Sequence, residues 1–170
     1  MYRKLLATGT DHGTFAGRLM LGAILLPHGF QHALGLFGGY GFSGTLGWMT
    51  QTLGFPAPLA ALAIITELIA PFALLVGLGG RLAAVGVIGL MAGAASTHAA
   101  NGFFMNWFGS LPAGAEGFEY HLLAIGLASV VAVNGSGAMS LDRLLTTRVA
   151  RRDTAGLSVG PRQARDRRAA

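Results

Sequence analysis

Residues 17–36 read GRLMLGAILLPHGFQHALGL, and this stretch decides the fold. At about 1.5 Å per residue it is long enough to cross the roughly 30 Å hydrocarbon core of a bilayer as a helix. Its second half nevertheless carries His28, Gln31 and His32, whose i, i+3, i+4 spacing predicts a shared helical face. Polar side chains at membrane depth need partners inside a helix bundle and tend to mark function. The rest of the chain must therefore supply partners for this face.

The amino-acid composition is typical of an integral membrane protein. Of the 170 residues, 52% are hydrophobic and only 11% are charged, whereas soluble domains average about 25% charged residues. The chain contains no cysteine, which excludes disulfides, iron–sulfur clusters and zinc–thiolate sites built from its own residues. The net charge of +5 follows the sidedness rule for membrane loops and does not indicate a nucleic-acid partner.

Four hydrophobic segments predict an all-α fold, an integral membrane four-helix bundle. The predicted helices are 17–36, 57–78, 81–100 and 119–137. They lie within a predicted transmembrane domain over residues 15–140. Residues 1–14 are expected to form a cytoplasmic leader that is retained, because no small-residue cleavage site follows it. Residues 141–170 are expected to form a basic cytoplasmic tail, amphipathic at first and then disordered.

Two sequence features bear on how the helices bend and pack. Pro27 removes a backbone donor and is expected to bend the first helix at that depth. Gly89 and Gly93 form a small-xxx-small pair that predicts close helix approach. The connections 37–56 and 102–118 are rich in aromatic residues, and the first of them could contain a short interfacial helix.

The distribution of basic residues predicts the membrane topology. The twelve Lys and Arg residues lie before or early in the first helix, in the turn between the second and third helices, and in the tail. The two aromatic loops contain none. Because basic residues favour the cytoplasmic side, both termini are predicted to be cytoplasmic and both aromatic loops to face outward.

With this topology, the polar residues of all four helices converge in the outer half of the membrane. The predicted ligand or proton pocket contains His28, His32, Glu67 and His98. Glu119 and His121, at the start of the fourth helix, are secondary candidates. Ionisable residues inside a membrane are functional candidates by default, and neutral-pH histidines beside a buried carboxylate suit proton transfer.

Each of these residues also has a purely structural interpretation. His28 and His32 could bind carbonyls freed by Pro27. Glu67 could be a neutral acid that donates to a neighbouring helix, and His98 could simply end its helix at the interface. The carboxylate of Glu119 is favourable near any helix start. The aromatic loops could be interfacial belts instead of ligand covers.

The chain resembles the DoxX family of small four-helix membrane proteins in the order and spacing of several short stretches. These are 26–32 (LPHGFQH), 35–39 (GLFGG), 54–59 (GFPAPL), Glu67, 77–81 (GLGGR), 101–104 (NGFF), 116–120 (EGFEY) and 140–142 (SLD). Together they span about residues 15–145. The resemblance implies a multi-pass bacterial inner-membrane protein, described as an oxidoreductase through association with thiosulfate:quinone oxidation and membrane redox complexes.

Three functions are compatible with these observations. The first is a redox-associated subunit that handles a quinone or similar lipophilic ligand in the His/Glu pocket, with electrons from a redox partner because the chain has no evident electron carrier. The second is a non-enzymatic scaffold or assembly subunit whose outer loops contact a partner. The chain could also form a homo-oligomer. The third is haem or metal binding through imidazoles of similar depth, although no metal-ligand motif is evident.

Overall fold

The computed structural model describes residues 6–112 and 115–148, which form helices and connecting loops with no strand among them. The main α-helices are α1 (His12–Gly29), α2 (Gly41–Gln51), α3 (Ala57–Val76), α4 (Gly80–His98) and α5 (Glu119–Asn134). A π-helical turn covers Phe30–Leu34, 3-10 turns cover Leu36–Gly38 and Ala99–Asn101, and residues 141–148 are helical. The prediction of an all-α protein is confirmed for this part of the chain.

Two helices are long and apolar enough to cross a membrane. They are Ala57–Val76 and Gly80–Asn101, counted among residues 6–112 and 115–148. The bent pair His12–Leu34 and Leu36–Gln51 makes a third candidate span if the pair is counted as one. Helix α5 is apolar but has only 16 residues. The described helices therefore support a membrane protein with two or three candidate spans.

The four longest helices pack in a ring, in which α1 contacts α3 and α5, and α4 contacts α3 and α5. Much of the core consists of small side chains, because they let helices approach closely where lipid offers no hydrophobic driving force. The buried core residues are Leu21, Leu25, Ala70, Leu74, Ala83, Ala84, Val87, Met91, Ala124, Ala128 and Val131. Helix α2 lies outside this ring and contacts α3 and the π-helical turn.

Helix α1 starts at His12, earlier than the predicted start at residue 17, because Asp11 caps it. The Asp11 carboxylate accepts hydrogen bonds from the backbone N–H of Gly13 at 3.4 Å and of Thr14 at 2.6 Å. Hydrogen bonds from the side chain and backbone of Thr14 lower the pKa of the Asp11 carboxyl. The cap satisfies amide donors that the first turn of a helix otherwise leaves unpaired.

The sharp bend after α1 lies at Gly35, a position at which the sequence, which indicated a bend at Pro27, predicted none. Helix α1 continues through Pro27 to Gly29. Gly35 adopts a left-handed conformation with φ of 73°, and the helical segments on either side of it meet at 94°. Glycine reaches this conformation without the steric cost of a Cβ atom. The bend directs α2 back towards α3.

Arg18 is fully buried and joins three parts of the fold. Its guanidinium donates five hydrogen bonds to backbone carbonyls, those of Leu74, Leu75, Ser136, Ala138 and Met139. The first two carbonyls belong to the last turn of α3, where a cation also interacts favourably with the helix dipole. Arg18 therefore ties α1 to the end of α3 and to the loop after α5.

Asp142 and Arg81 complete the same end of the helix ring. The buried Asp142 carboxylate accepts from the backbone N–H of Gly79 at 2.8 Å, the N–H of Gly80 at 3.1 Å and the hydroxyl of Ser136 at 2.6 Å. Asp142 thus caps the start of α4. Arg81 donates to the carbonyls of the last turn of α5, Ala132 at 2.7 Å and Val133 at 2.6 Å. We call this end, with Arg18, Arg81 and Asp142, the charged end.

Several predictions concern residues that the structure does not describe. Residues 1–5, with Arg3 and Lys4, and the expected disorder of 153–170 lie outside the described residues.

Helix α3 ends at Val76 instead of residue 78, because Gly77 takes a left-handed conformation with φ of 67°. Helix α5 ends at Asn134 instead of residue 137.

Candidate functional site

A cavity of about 640 Å³ lies towards the end of the ring opposite the charged end. Its walls come from α1, α3, α4 and the start of α5, and α2 covers it with Trp48 and Met49. Most of the lining is apolar. The polar residues on its walls are His28, His32, Thr45, Thr66, Glu67, Thr97, His98, Glu116, Tyr120 and His121. A mainly apolar cavity with a few converging polar groups is the usual form of a small-molecule site.

His32 and Glu67 form a short hydrogen-bonded pair on the cavity wall. Nδ1 of His32 lies 2.5 Å from Oε2 of Glu67, a short contact of the kind that charge assistance produces. The Glu67 side chain is 11% exposed and the His32 side chain is 37% exposed. The pair is electrically neutral whether the shared proton is on the ring or on the carboxyl, which reduces the cost of a carboxyl group in apolar surroundings.

Gly29 brings α1 close enough to α3 for this pair to form. A Cβ atom on Gly29 would lie within 2.4 Å of the Glu67 carbonyl oxygen and 2.9 Å of Leu68 Cα. The π-helical turn that follows shifts the side-chain directions by one residue relative to an α-helix. Such turns are frequently found at functional sites. Backbone contact at Gly29 and the π-helical turn together present His32 to Glu67.

The π-helical turn also separates Gln31 from the two histidines. Gln31 does not line the cavity, and its Nε2 donates to the Phe37 carbonyl at 3.2 Å. The predicted shared face of His28, Gln31 and His32 assumed regular α-helical spacing and was wrong for Gln31. His28 lies on the cavity wall with its side chain exposed. His32 pairs with Glu67 instead of a carbonyl freed by Pro27.

His98 is oriented by the loop that precedes α5. Its Nδ1 donates to the Glu116 carbonyl at 2.9 Å, and the Asn101 amide donates to the same oxygen at 2.9 Å. Because Nδ1 carries the proton in this arrangement, Nε2 of a neutral His98 ring is a hydrogen-bond acceptor. The His98 ring stacks on His121 with centroids 4.9 Å apart.

Three buried polar atoms on the cavity wall have no hydrogen-bond partner among the described residues. They are Thr45 Oγ1, Tyr120 Oη and His121 Nδ1. Buried polar atoms are nearly always hydrogen-bonded, and exceptions often mark a site for water or a ligand. Thr45 and Tyr120 were not predicted as site residues. A lone threonine in an aromatic loop and a tyrosine at an interface are both common outside binding sites, so their sequence gives no distinguishing signal.

Glu119, a secondary candidate in the sequence, is not on the cavity wall. Its Oε2 accepts from the backbone N–H of Met105 at 3.3 Å, which fixes the preceding loop. Glu116 lines the cavity, and its Oε2 accepts from the N–H of Asn106 at 2.7 Å. The two carboxylates therefore hold the loop between α4 and α5 over one end of the cavity.

The glycine pair in α4, Gly89 and Gly93, does not make the close helix contact that the sequence predicted. A Cβ atom on Gly89 or Gly93 would meet no atom of the described residues within 4 Å, so neither glycine mediates close helix contact among them. Both glycines line the cavity. Close helix contact involves Gly86 instead, where a Cβ would lie 3.0 Å from the Thr66 methyl.

The metal hypothesis finds little support in the geometry. No group of three or more His, Asp or Glu side chains in residues 6–112 and 115–148 is arranged to hold a metal ion. The His32–Glu67 contact supplies two possible ligands, and the His98–His121 contact is a ring stack.

The DoxX family model matches residues 13–107, which is more than half of the chain. The chain belongs to the DoxX family. The match covers the cavity residues of α1 to α4 and the charged-end residues Arg18 and Arg81, and it stops before α5. Neither the curated proteins nor the solved structures contain a significant match to this DoxX-family chain.

Proposed function

We propose that this DoxX-family chain binds a quinone or a similar lipophilic ligand in the cavity and acts as a redox-associated membrane subunit. The observation that carries this proposal is the 2.5 Å contact between His32 and Glu67 on the wall of a mainly apolar cavity of about 640 Å³. That volume lies within the roughly 300–1,000 Å³ range of small-molecule sites. An apolar ring with polar carbonyls fits such a surface.

Quinone chemistry makes specific demands that these residues can meet. Reduction of a quinone to a quinol consumes two electrons and two protons. The His32–Glu67 pair can deliver one proton to a bound carbonyl oxygen, and His98 or His121 lies on the same cavity wall to supply or orient the second. The electrons must come from a redox partner.

We further propose that α1, α3, α4 and α5 each cross the bacterial inner membrane, with both termini cytoplasmic. The described basic residues support this topology, because Arg18 and Arg81 lie at the charged end and Arg143 and Arg148 follow Ser140 in the segment that Asp142 anchors there. Basic residues favour the cytoplasmic side. The cavity would then lie in the outer half of the membrane.

A scaffold function is the second candidate, and it is favoured by the aromatic loop between α4 and α5. Trp107 is 75% exposed and Phe108 is 96% exposed in the chain alone. Large exposed aromatic side chains are enriched at protein interfaces and also at the membrane surface. As a scaffold, the chain would use this loop to contact a partner, and the His32–Glu67 pair would only stabilise the helix ring.

Binding of a benzoquinone to the purified protein tests the proposed function. The optical spectrum is recorded first, because a Soret band would favour the haem alternative. Equilibrium dialysis with a short-tailed benzoquinone then measures binding at about one site per chain, which the proposal predicts. Absence of saturable binding would contradict the quinone proposal and favour the scaffold.

A further inference from the structure

The cavity reaches the outer surface of the helix ring between α3 and α4. Leu62 of α3 and Gly89 of α4 both line the cavity, yet Leu62 is 59% exposed and Gly89 is exposed as well. Residues that line a cavity and are also well exposed are expected at its mouth. We place one opening of the cavity in the seam between these two helices, where its rim is apolar.

Glycines on α4 keep the seam open. Gly89 and Gly93 line the cavity, and the space around each would accept a Cβ without any contact within 4 Å. Nearer the charged end, α3 and α4 lie closer together, because a Cβ on Gly86 would be 3.0 Å from the Thr66 methyl. The seam is thus tight near the turn between the helices and open at the level of the two glycines.

Independent polar atoms indicate that the cavity receives a ligand. Thr45 is 2% exposed and His121 is 8% exposed, and both line the same cavity. Thr45 Oγ1 and His121 Nδ1 have no hydrogen-bond partner in the described part of the chain. A ligand head with hydrogen-bonding groups would satisfy atoms that are otherwise costly to bury.

We infer that the ligand is a tailed quinone whose polar ring occupies the cavity and whose hydrocarbon tail leaves through the seam at Gly89 and Gly93 into the bilayer. This inference rests on the proposed function and adds the substrate class and the exit route. A long isoprenoid tail does not fit into about 640 Å³ together with its ring, so it needs an exit. An apolar tail lies at no cost in lipid, whereas the ring gains hydrogen bonds from Thr45 and His121.

A leucine in the seam tests this route. In Gly89→Leu the new side chain occupies the exit, and overpacking of this kind predicts about tenfold weaker binding of a decyl-tailed benzoquinone. The same ring without a tail should bind as it does to the wild type. Gly126→Leu is the matched control, because Gly126 is an exposed glycine of α5 with open space around it and does not line the cavity.

Dialysis of both probes against the three proteins in the same detergent gives the result. Selective loss of the tailed probe in Gly89→Leu alone supports the exit route. Equal binding of the tailed probe by Gly89→Leu and the wild type would overturn it. Loss of both probes in Gly89→Leu with normal thermal stability would also overturn it, because the leucine would then block the ring instead of the tail.

If the wild type binds neither quinone, the proposed function is contradicted. A second measurement then still tests whether hydrocarbon chains pass through the seam. Trp48 lines the cavity and Trp107 does not, so Trp107→Phe leaves Trp48 as the single fluorophore. Quenching of Trp48 by a brominated fatty acid should decrease when Gly89→Leu is added and stay unchanged with Gly126→Leu. Equal quenching in both variants would overturn the seam as an entrance for hydrocarbon chains.

Discussion

His32 reaches Glu67 because Gly29 lies directly on the backbone of Glu67. Both contacts lie where α1 crosses α3. Gly29 has no Cβ to separate the two helices, and the π-helical turn that follows directs the His32 ring to the Glu67 carboxylate at 2.5 Å. The geometry of the candidate site therefore depends on a residue with no side chain. This relationship allows the site to be perturbed without altering any polar group.

Gly29→Ala should separate α1 from α3 and break the His32–Glu67 contact. The added methyl would lie 2.4 Å from the Glu67 carbonyl oxygen, and backbone atoms cannot give way cheaply. We expect a loss of about 1–3 kcal/mol in the free energy of unfolding. Thermal unfolding in detergent measures it. Gly126→Ala is the control and should be neutral or slightly stabilising, by up to about 1 kcal/mol, because alanine is the better helix former. Equal stability of Gly29→Ala and the wild type would contradict the close crossing.

Arg18→Met should destabilise the protein strongly. The substitution removes a donor from five carbonyls, of which three hydrogen bonds are buried and two partly buried, and each buried group left unsatisfied costs about 1–3 kcal/mol before relaxation. Arg18→Lys should rescue little, because one ammonium group cannot serve both α3 and the loop after α5. Expression level and thermal midpoint report the effect, with exposed Arg148→Ala as the unaffected control. A fully stable Arg18→Lys protein would show that charge alone is sufficient.

Truncation should be tolerated after residue 152 and not after residue 139. The longer protein keeps Asp142, whose carboxylate anchors the segment to the start of α4. The shorter one leaves the N–H groups of Gly79 and Gly80 uncapped, at a typical cost of about 1 kcal/mol for a helix cap. The two thermal midpoints provide the comparison. A large loss of stability in the longer protein would mean that residues beyond 152 pack on the helix ring.

Reporter fusions test the topology. An enzyme active only in the periplasm should be inactive when fused after residue 145 and active when inserted at Phe108, whose exposure makes an insertion tolerable. The physical reason is the retention of basic residues on the cytoplasmic side. Periplasmic activity of the fusion after residue 145 would contradict the four-crossing proposal.

The sequence predicted the helices more reliably than their ends and bends. Apolar segments and polar loops were sufficient to predict an all-α fold, since hydrophobic length alone identifies a membrane helix. The ends depended on local hydrogen bonds, such as the Asp11 cap before α1 and the left-handed Gly35 after it. These features follow from the backbone conformation of one residue, which hydropathy does not report.

For the candidate site too, the sequence predicted some features and not others. Helix direction and depth brought His28, His32, Glu67, His98 and His121 to one end of the molecule, and the structure has all five on the wall of one cavity. That these residues bind or protonate a ligand is still a prediction. Thr45 and the positions of Gly89 and Gly93 could not be predicted, because they depend on how α2 folds over the ring and how far α3 and α4 separate. Depth also could not distinguish Glu119, which binds the loop, from Glu116, which lines the cavity.

The most direct test of the central claim is the affinity of Glu67→Gln for a benzoquinone, measured beside the wild type and Glu119→Gln. Glutamine keeps the size and hydrogen-bonding capacity of Glu67 but removes its titratable proton and its charge. The account predicts that Glu67→Gln folds with a thermal midpoint close to that of the wild type and binds the quinone at least about tenfold more weakly. Glu119→Gln, whose carboxylate is off the cavity wall, should bind as the wild type does. Unchanged quinone affinity in Glu67→Gln, together with loss of stability in Glu67→Leu, would contradict the account and leave the His32–Glu67 pair with a structural role alone.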